Sequence, residues 1–195
     1  DAVTDGGSNT IDGVNAGTSN NFSYATFIGR EAGRDVSGSS ANGQVAVGTN
    51  ALAGMTSGVN NTAVGYQAIG GGTGTGNTSY NTALGYQAGK ALAGNSNSNV
   101  AIGTFALDAA ADNDRNVAIG YSAMGAADDG EDGNVVIGYS AMNAANNAAN
   151  DYNVIIGFEA GQGGNGGSMS YNVAIGNLAL NSTDTATVTE ITALG

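Results

Sequence analysis

The feature that most restricts what this chain can become is a comb of glycines. Eleven fall into one register: Gly13, Gly29, Gly48, Gly65, Gly85, Gly103, Gly120, Gly138, Gly157, Gly176 and Gly195, at intervals of 16 to 20 residues. Each keeps the same company. One residue before it, ten of the eleven repeats carry a large aliphatic, among them Ile102, Ile119, Ile137, Ile156 and Ile175. Three before it stands Thr or Val, as in Thr62, Val117 and Val135. Two before it is usually Ala, and four before it is Asn in eight repeats. Three after it, Ala recurs without exception from Ala16 to Ala179. The octapeptides 61–68 (NTAVGYQA) and 81–88 (NTALGYQA) are the two best-matched units of this series.

A unit of 16–20 residues cannot bury an apolar face alone, whereas stacked units can. The β-branched residues and the short apolar run favour a strand before each Gly. The Gly supplies a backbone conformation that side chains resist, or a close approach. The residues after it, such as 121–124 (YSAM), read as a second short extended segment, and the variable Gly/Asn/Ser/Asp-rich remainder as loop. Asn at the head of the unit suits a turn, since it bonds nearby backbone and tolerates positive φ. The expectation is an all-β fold: a parallel β-roll or β-solenoid of about 10–11 coils, occupying residues 9–195, with 1–8 as an N-terminal loop or docking segment. At about 4.8 Å per stacked strand the rod would be roughly 50 Å long.

Strand alternation puts Val117 and Ile119 on one face and Ala118 on the other. The expected interior is the aliphatic and β-branched pair of columns. The narrow Ala face would then lie against another backbone, which points to lateral association of identical chains. Asp12 replaces the aliphatic in the first repeat, as a polar terminal coil would. The last repeat reaches its turn at 191–195 (ITALG) without a following segment, so its open edge is expected to continue into a longer chain or to dock on a neighbouring copy. The start at Asp1 reads as that of a mature or excised portion.

Composition limits the chemistry. There is no Cys, His, Trp or Pro among 195 residues, and charged residues make up 10%. Sixteen acidic residues face four basic ones for a net charge of −12, so a phosphate-neutralising footprint for nucleic acid or an anionic membrane is absent. No apolar run approaches the roughly 20 residues that span a bilayer. Without Cys or His the usual nucleophilic triads cannot be built. Carboxylate pairs such as Glu31/Asp35 or Asp129/Glu131 would need a shaped cleft to cleave glycosides, which loops on a thin rod do not offer. The Gly-rich stretches 70–77 and 161–167 lack the Lys and helix of a phosphate cradle. The expectation is a protein that is no enzyme and uses no cofactor.

Two features have both a functional and a structural reading. The acidic loop 126–134 (AADDGEDGN) offers Asp128, Asp129, Glu131 and Asp132 as oxygen ligands for Ca²⁺, but not in the order of known calcium loops. A solvated loop partly compensated by Arg115 is the plainer reading. Just after the Gly, Tyr66, Tyr86, Tyr121, Tyr139 and Phe158 would form an aromatic ladder, either a stacking platform for a sugar or protein partner or a brace between coils.

The segments 116–124 (NVAIGYSAM), 134–142 (NVVIGYSAM), 172–180 (NVAIGNLAL) and 61–68 resemble the head repeats of YadA-like trimeric autotransporter adhesins; related repeats occur in phage tail-fibre proteins. The resemblance spans residues 9–195, although the loops here are longer than in the best-known heads. It implies a left-handed parallel β-roll, a side-by-side homotrimer and an extracellular place, on a bacterial surface or in a virion fibre. It also implies a role in projection and attachment to a receptor, protein or glycan, that the sequence does not identify. The alternative is a subunit of a tail fibre or of a filament assembled end to end. No catalytic residue carries over; the motif residues are structural, with the aliphatic columns as roll interior.

Overall fold

A computed structural model describes residues 7–18, 22–36, 42–55, 57–70, 78–92, 94–109, 112–126, 130–143, 150–162, 168–181 and 188–195. The architecture is a parallel β-solenoid with no helix among the described residues. Its strands are β1 (Thr10–Asp12), β2 (Thr26–Ile28), β3 (Val45–Val47), β4 (Thr62–Val64), β5 (Thr82–Leu84), β6 (Val100–Ile102), β7 (Val117–Ile119), β8 (Val135–Ile137), β9 (Val154–Ile156), β10 (Met169–Ser170), β11 (Val173–Ile175), β12 (Val188–Thr189) and β13 (Thr192–Leu194). Eleven of them form one parallel sheet in the order β1 to β9, then β11 and β13. The register is the repeat's own: Val117 pairs with Val100 and Val135, and Ile119 with Ile102 and Ile137. A second column of parallel pairing runs beside it, through β10–β12 and the bridges Ser79–Asn97 and Asp114–Asp132.

The comb glycines make the corner after each strand, and both reasons for glycine apply. Gly120 has φ +136°, and a Cβ there would collide with the Gly138 carbonyl of the next coil. The same relation links Gly138 to Gly157 and Gly157 to Gly176. A methyl group at this corner meets backbone, which cannot rotate away.

The segment after the Gly is not the extended strand expected for 121–124. It is a run of turns in which the second and fourth residues take positive φ: Ser122 (+48°) and Met124 (+53°), Ser140 (+47°) and Met142 (+48°), Gln67 (+53°) and Ile69 (+46°). This shape lets alternate N–H groups serve two purposes. Ala123 N–H closes a turn on Gly120 O, while Ser122 N–H donates to Thr104 O one coil behind and Met124 N–H to Ala141 O one coil ahead. Coils are thus tied together around the corner as well as along the sheet.

The interior also differs from the expectation, because the faces of the strand are inverted. From β2 to β9 and in β11 the middle residue, such as Ala63, Ala83, Ala101, Ala118, Val136 or Ile155, is fully buried, and the Ala three after the Gly is buried too; in β1 and β13 the middle residues Ile11 and Ala193 are partly buried. The aliphatic and β-branched residues on either side, including Ile102, Ile119, Ile137, Ile156 and Ile175, point outward and are half-buried or exposed. The Ala columns are therefore core, not a lateral contact. Small residues suit the inside because the coil is narrow and five coils place a larger buried residue four after the Gly: Leu52, Ile69, Leu107, Met124 and Met142.

That larger residue is exchanged against the strand's middle residue. Where Phe27 or Ile155 fills the middle, glycine stands four after the corner, at Gly33 and Gly161. A Cβ on Gly33 would lie 2.7 Å from the Phe27 ring, and one on Gly161 2.9 Å from Ile155 Cγ2. At Gly89 the space is taken instead by Leu92. In these coils one large residue takes the place of another, as close packing requires, whereas one coil buries both Val136 and Met142.

The repeated Asn forms a buried ladder. Asn134 N–H and its side-chain amide both donate to Asn116 Oδ1, at 2.9 and 3.1 Å, and the amide also donates to Asn150 O at 2.6 Å. The pattern runs from Asn61 through Asn81, Asn99, Asn116, Asn134 and Asn153 to Asn172. The Asn therefore bonds across coils rather than within a turn. The positive φ belongs to the residue before it, for example Arg115 (+61°) and Tyr152 (+57°). Gln44 fills the place in its own coil, accepting from Asn61 N–H.

Candidate interaction face

The inversion of the strands leaves the sheet with an outer face built from two uncharged rows, one of Val and Thr and one of Ile, Val and Leu. One is Thr26, Val45, Thr62, Thr82, Val100, Val117, Val135, Val154, Val173 and Thr192; the other is its partner from Ile28 to Leu194. Within the sheet Leu84 is 48% exposed. No charged residue interrupts these rows from β2 to β13; Asp12 in β1 is the exception. The face measures roughly 48 Å along the sheet by 10 Å across, on strand spacing and rise alone. A patch of that order is at the size of the largest apolar patch on an ordinary monomer, which is often a functional surface.

Aromatic rows flank the face on both sides. Downstream of the corner, Tyr66 and Tyr86 stack at 5.2 Å, as do Tyr121 with Tyr139 and Tyr139 with Phe158. Phe105 bridges the two stacks, edge-on to Tyr86 at 5.4 Å and to Tyr121 at 5.9 Å. The predicted five-ring ladder is thus a continuous ladder of six. Phe105 escaped notice because it stands two residues after Gly103 instead of one, reaching the row from a positive-φ position. Upstream of the strands, Tyr80, Tyr152 and Tyr171 occupy the exposed positive-φ corner before the Asn, and Tyr24 the same corner before Ala25, with Tyr152 and Tyr171 stacked at 5.3 Å. Their equal spacing of five residues before the comb Gly was the available signal.

Stacking and edge-on contacts between neighbouring rings tie the coils together, while Tyr66, Tyr86, Tyr121, Tyr139 and Phe158 each stay nearly half exposed.

Charge collects elsewhere. Glu31 is bound by Arg30 at 2.5 Å and by Arg34 at 2.8 Å, and Asp35 by Arg34 at 2.8 Å. The Glu31/Asp35 pair is therefore a structural ion-pair cluster on one coil. Its Asp35–Arg34 contact raises the guanidinium pKa further above its ordinary value. Asp114, Asp132 and Asp151 stack in one column, where each carboxylate accepts a backbone N–H from the preceding coil: Asn97 to Asp114 at 2.6 Å, Asp114 to Asp132 and Asp132 to Asp151 at 2.9 Å. Asp132 also pairs with Arg115 at 3.0 Å, the compensation the sequence suggested.

Of the four residues proposed as Ca²⁺ ligands, Asp128 and Asp129 lie outside the described residues. Glu131 is buried, with its N–H donating to Asn113 Oδ1, and Asp132 is engaged as just described. Among the described residues no three acidic side chains converge to hold a metal. Asp108 is partly buried beside Lys90, and burial pushes its carboxyl pKa above the ordinary value.

Comparison with protein-family models, curated proteins and solved structures gives no match.

Proposed function

We propose that this chain is a non-enzymatic segment of an extracellular fibre, in which identical chains pack side by side through the outer aliphatic face. The copies form a left-handed, parallel homotrimer that projects from a cell or virion surface and presents its variable loops for attachment. One observation carries this reading: a chain of net charge −12 keeps a charge-free face of Val, Thr, Ile and Leu along its sheet from β2 to β13. A free monomer would gain solubility from carboxylates there. A face covered by another copy of the same acidic chain must instead exclude them. The likeness of the motif to adhesin head repeats supports the number three and the extracellular place.

The test is the variant Ile119→Asp/Ile137→Asp. Both residues point out of the sheet, so the coil folds as before, judged by circular dichroism, while the mass in sedimentation falls from trimer to monomer. An unchanged mass would remove the face from the assembly.

The second reading is an end-to-end filament, in which β13 of one copy would pair with β1 of the next. Electron micrographs of long fibres with an axial repeat near 50 Å, the rod length set by strand spacing, would support the filament. Separate short rods would oppose it.

A further inference from the structure

The fold sorts the oxidisable side chains of this chain into two groups. Cys, Trp and His are absent, which leaves methionine and tyrosine as the side chains most open to oxidation. All four methionines, Met55, Met124, Met142 and Met169, lie in the core and are at most 5% exposed. All eight tyrosines stand outside, each between 42% and 70% exposed. Six of the eight are also paired. Tyr66 stacks on Tyr86, Tyr121 on Tyr139 and Tyr152 on Tyr171, with ring centroids 5.2 to 5.3 Å apart and planes within 16° of parallel.

We propose that these three pairs are sites of oxidative coupling, at which a haem peroxidase acting with hydrogen peroxide joins neighbouring coils through dityrosine. Removal of one electron and one proton from a phenol leaves a radical shared between its oxygen and the ring carbons beside it. Two such radicals join by a carbon–carbon bond between those ring carbons, and the proton displaced from each carbon returns to its oxygen. For each link, two electrons and two protons pass to one peroxide molecule, which leaves as two waters.

Stacking decides which radicals meet. The rings of a pair are near copies shifted by one coil, so equivalent ring carbons lie about one centroid separation apart. Both side chains are exposed enough to turn about χ1 and χ2 and close that gap. Phenylalanine has no phenol to oxidise. Phe105 separates Tyr86 from Tyr121 and Phe158 follows Tyr139, so the six-ring ladder yields two separate links, and the upstream row the third. Among the described residues Tyr24 and Tyr80 stack on no other tyrosine.

The consequence is stability. Each link ties residues 18 to 20 apart in sequence, which is one full coil. A solenoid opens by losing contacts between neighbouring coils. A covalent tie across that boundary removes freedom from the opened chain, as a disulfide would, in a protein without cysteine. The rings flank the strand rows, and the coupling is within one chain, so it does not depend on the packing of copies proposed above.

The folded protein, treated with a haem peroxidase and hydrogen peroxide and then separated under denaturing conditions, tests this. The single chain is expected to lose two hydrogens for each link, hence six for the three pairs, to gain dityrosine fluorescence and to unfold at a higher denaturant concentration. The variant Tyr86→Phe/Tyr139→Phe/Tyr171→Phe keeps a ring in every stack but leaves one phenol per pair. Oxidation of that variant should produce neither the fluorescence nor the rise in midpoint. The complementary triple, Tyr66→Phe/Tyr121→Phe/Tyr152→Phe, repeats the comparison should the first disturb folding. Oxidised wild-type chains without dityrosine would overturn the proposal. So would links formed between chains, seen as covalent dimers or trimers, or a folded triple variant that couples as readily as the wild type.

Discussion

The inside and the outside of this solenoid follow different rules. Inside, the fillers change from coil to coil: Phe27 with Gly33, Ala118 with Met124, Ile155 with Gly161. Each pair sums to about the same volume, so the coil is satisfied by a local exchange. Outside, the rows hardly change: Thr or Val at one strand position and Ile, Val or Leu at the other, from β2 to β13. A single chain gains little from that constancy, since these side chains stay half-exposed. The difference teaches where the constraint comes from. A core answers to its own coil, while a regular outer face is what the proposed packing against another copy would require.

Breaking the corner should have the largest effect, since it serves both sides. Gly120→Ala combines a φ that side chains resist with a Cβ driven into the Gly138 carbonyl. The loss should be on the order of 4 kcal/mol or more, read as a fall in the denaturation midpoint or failure to fold. A wild-type midpoint would mean the corners do not hold the stack.

A smaller effect sharpens the rule for the interior. Gly161→Leu forces a side chain against Ile155 and should cost about 1–3 kcal/mol by overpacking. Adding Ile155→Ala recreates the pairing found at Ala101 and Leu107, and should recover most of that loss. If the two changes simply add, the exchange of volumes between these positions is not what fills the coil.

The repeat, the corner glycine and the solenoid were legible because each depends on local pattern: a fixed register, β-branched flanks and a residue without Cβ. The sidedness of the strand was not. Period two says that Val117 and Ile119 share a face and Ala118 takes the other, but not which face is inside. Burying the larger residues is the natural choice, and it fails because the coil is too narrow for two aliphatic columns beside Met124 and the Asn ladder. The positive-φ turns at Ser122 and Met124 were hidden for a related reason. Methionine, leucine and isoleucine normally resist that region, and tertiary hydrogen bonds between coils impose it here. The aromatic rows were half visible. Residues at the same offset from the Gly aligned themselves, while Phe105, one place out, needed the folded backbone to bring it in.

Sedimentation equilibrium of the unmodified chain tests the central claim most directly, because everything proposed for the outer face requires that another copy cover it. A mass three times 18.9 kDa, holding on dilution through the micromolar range, is the result predicted. A single stable species of 18.9 kDa would contradict it and leave the aliphatic rows without an explanation.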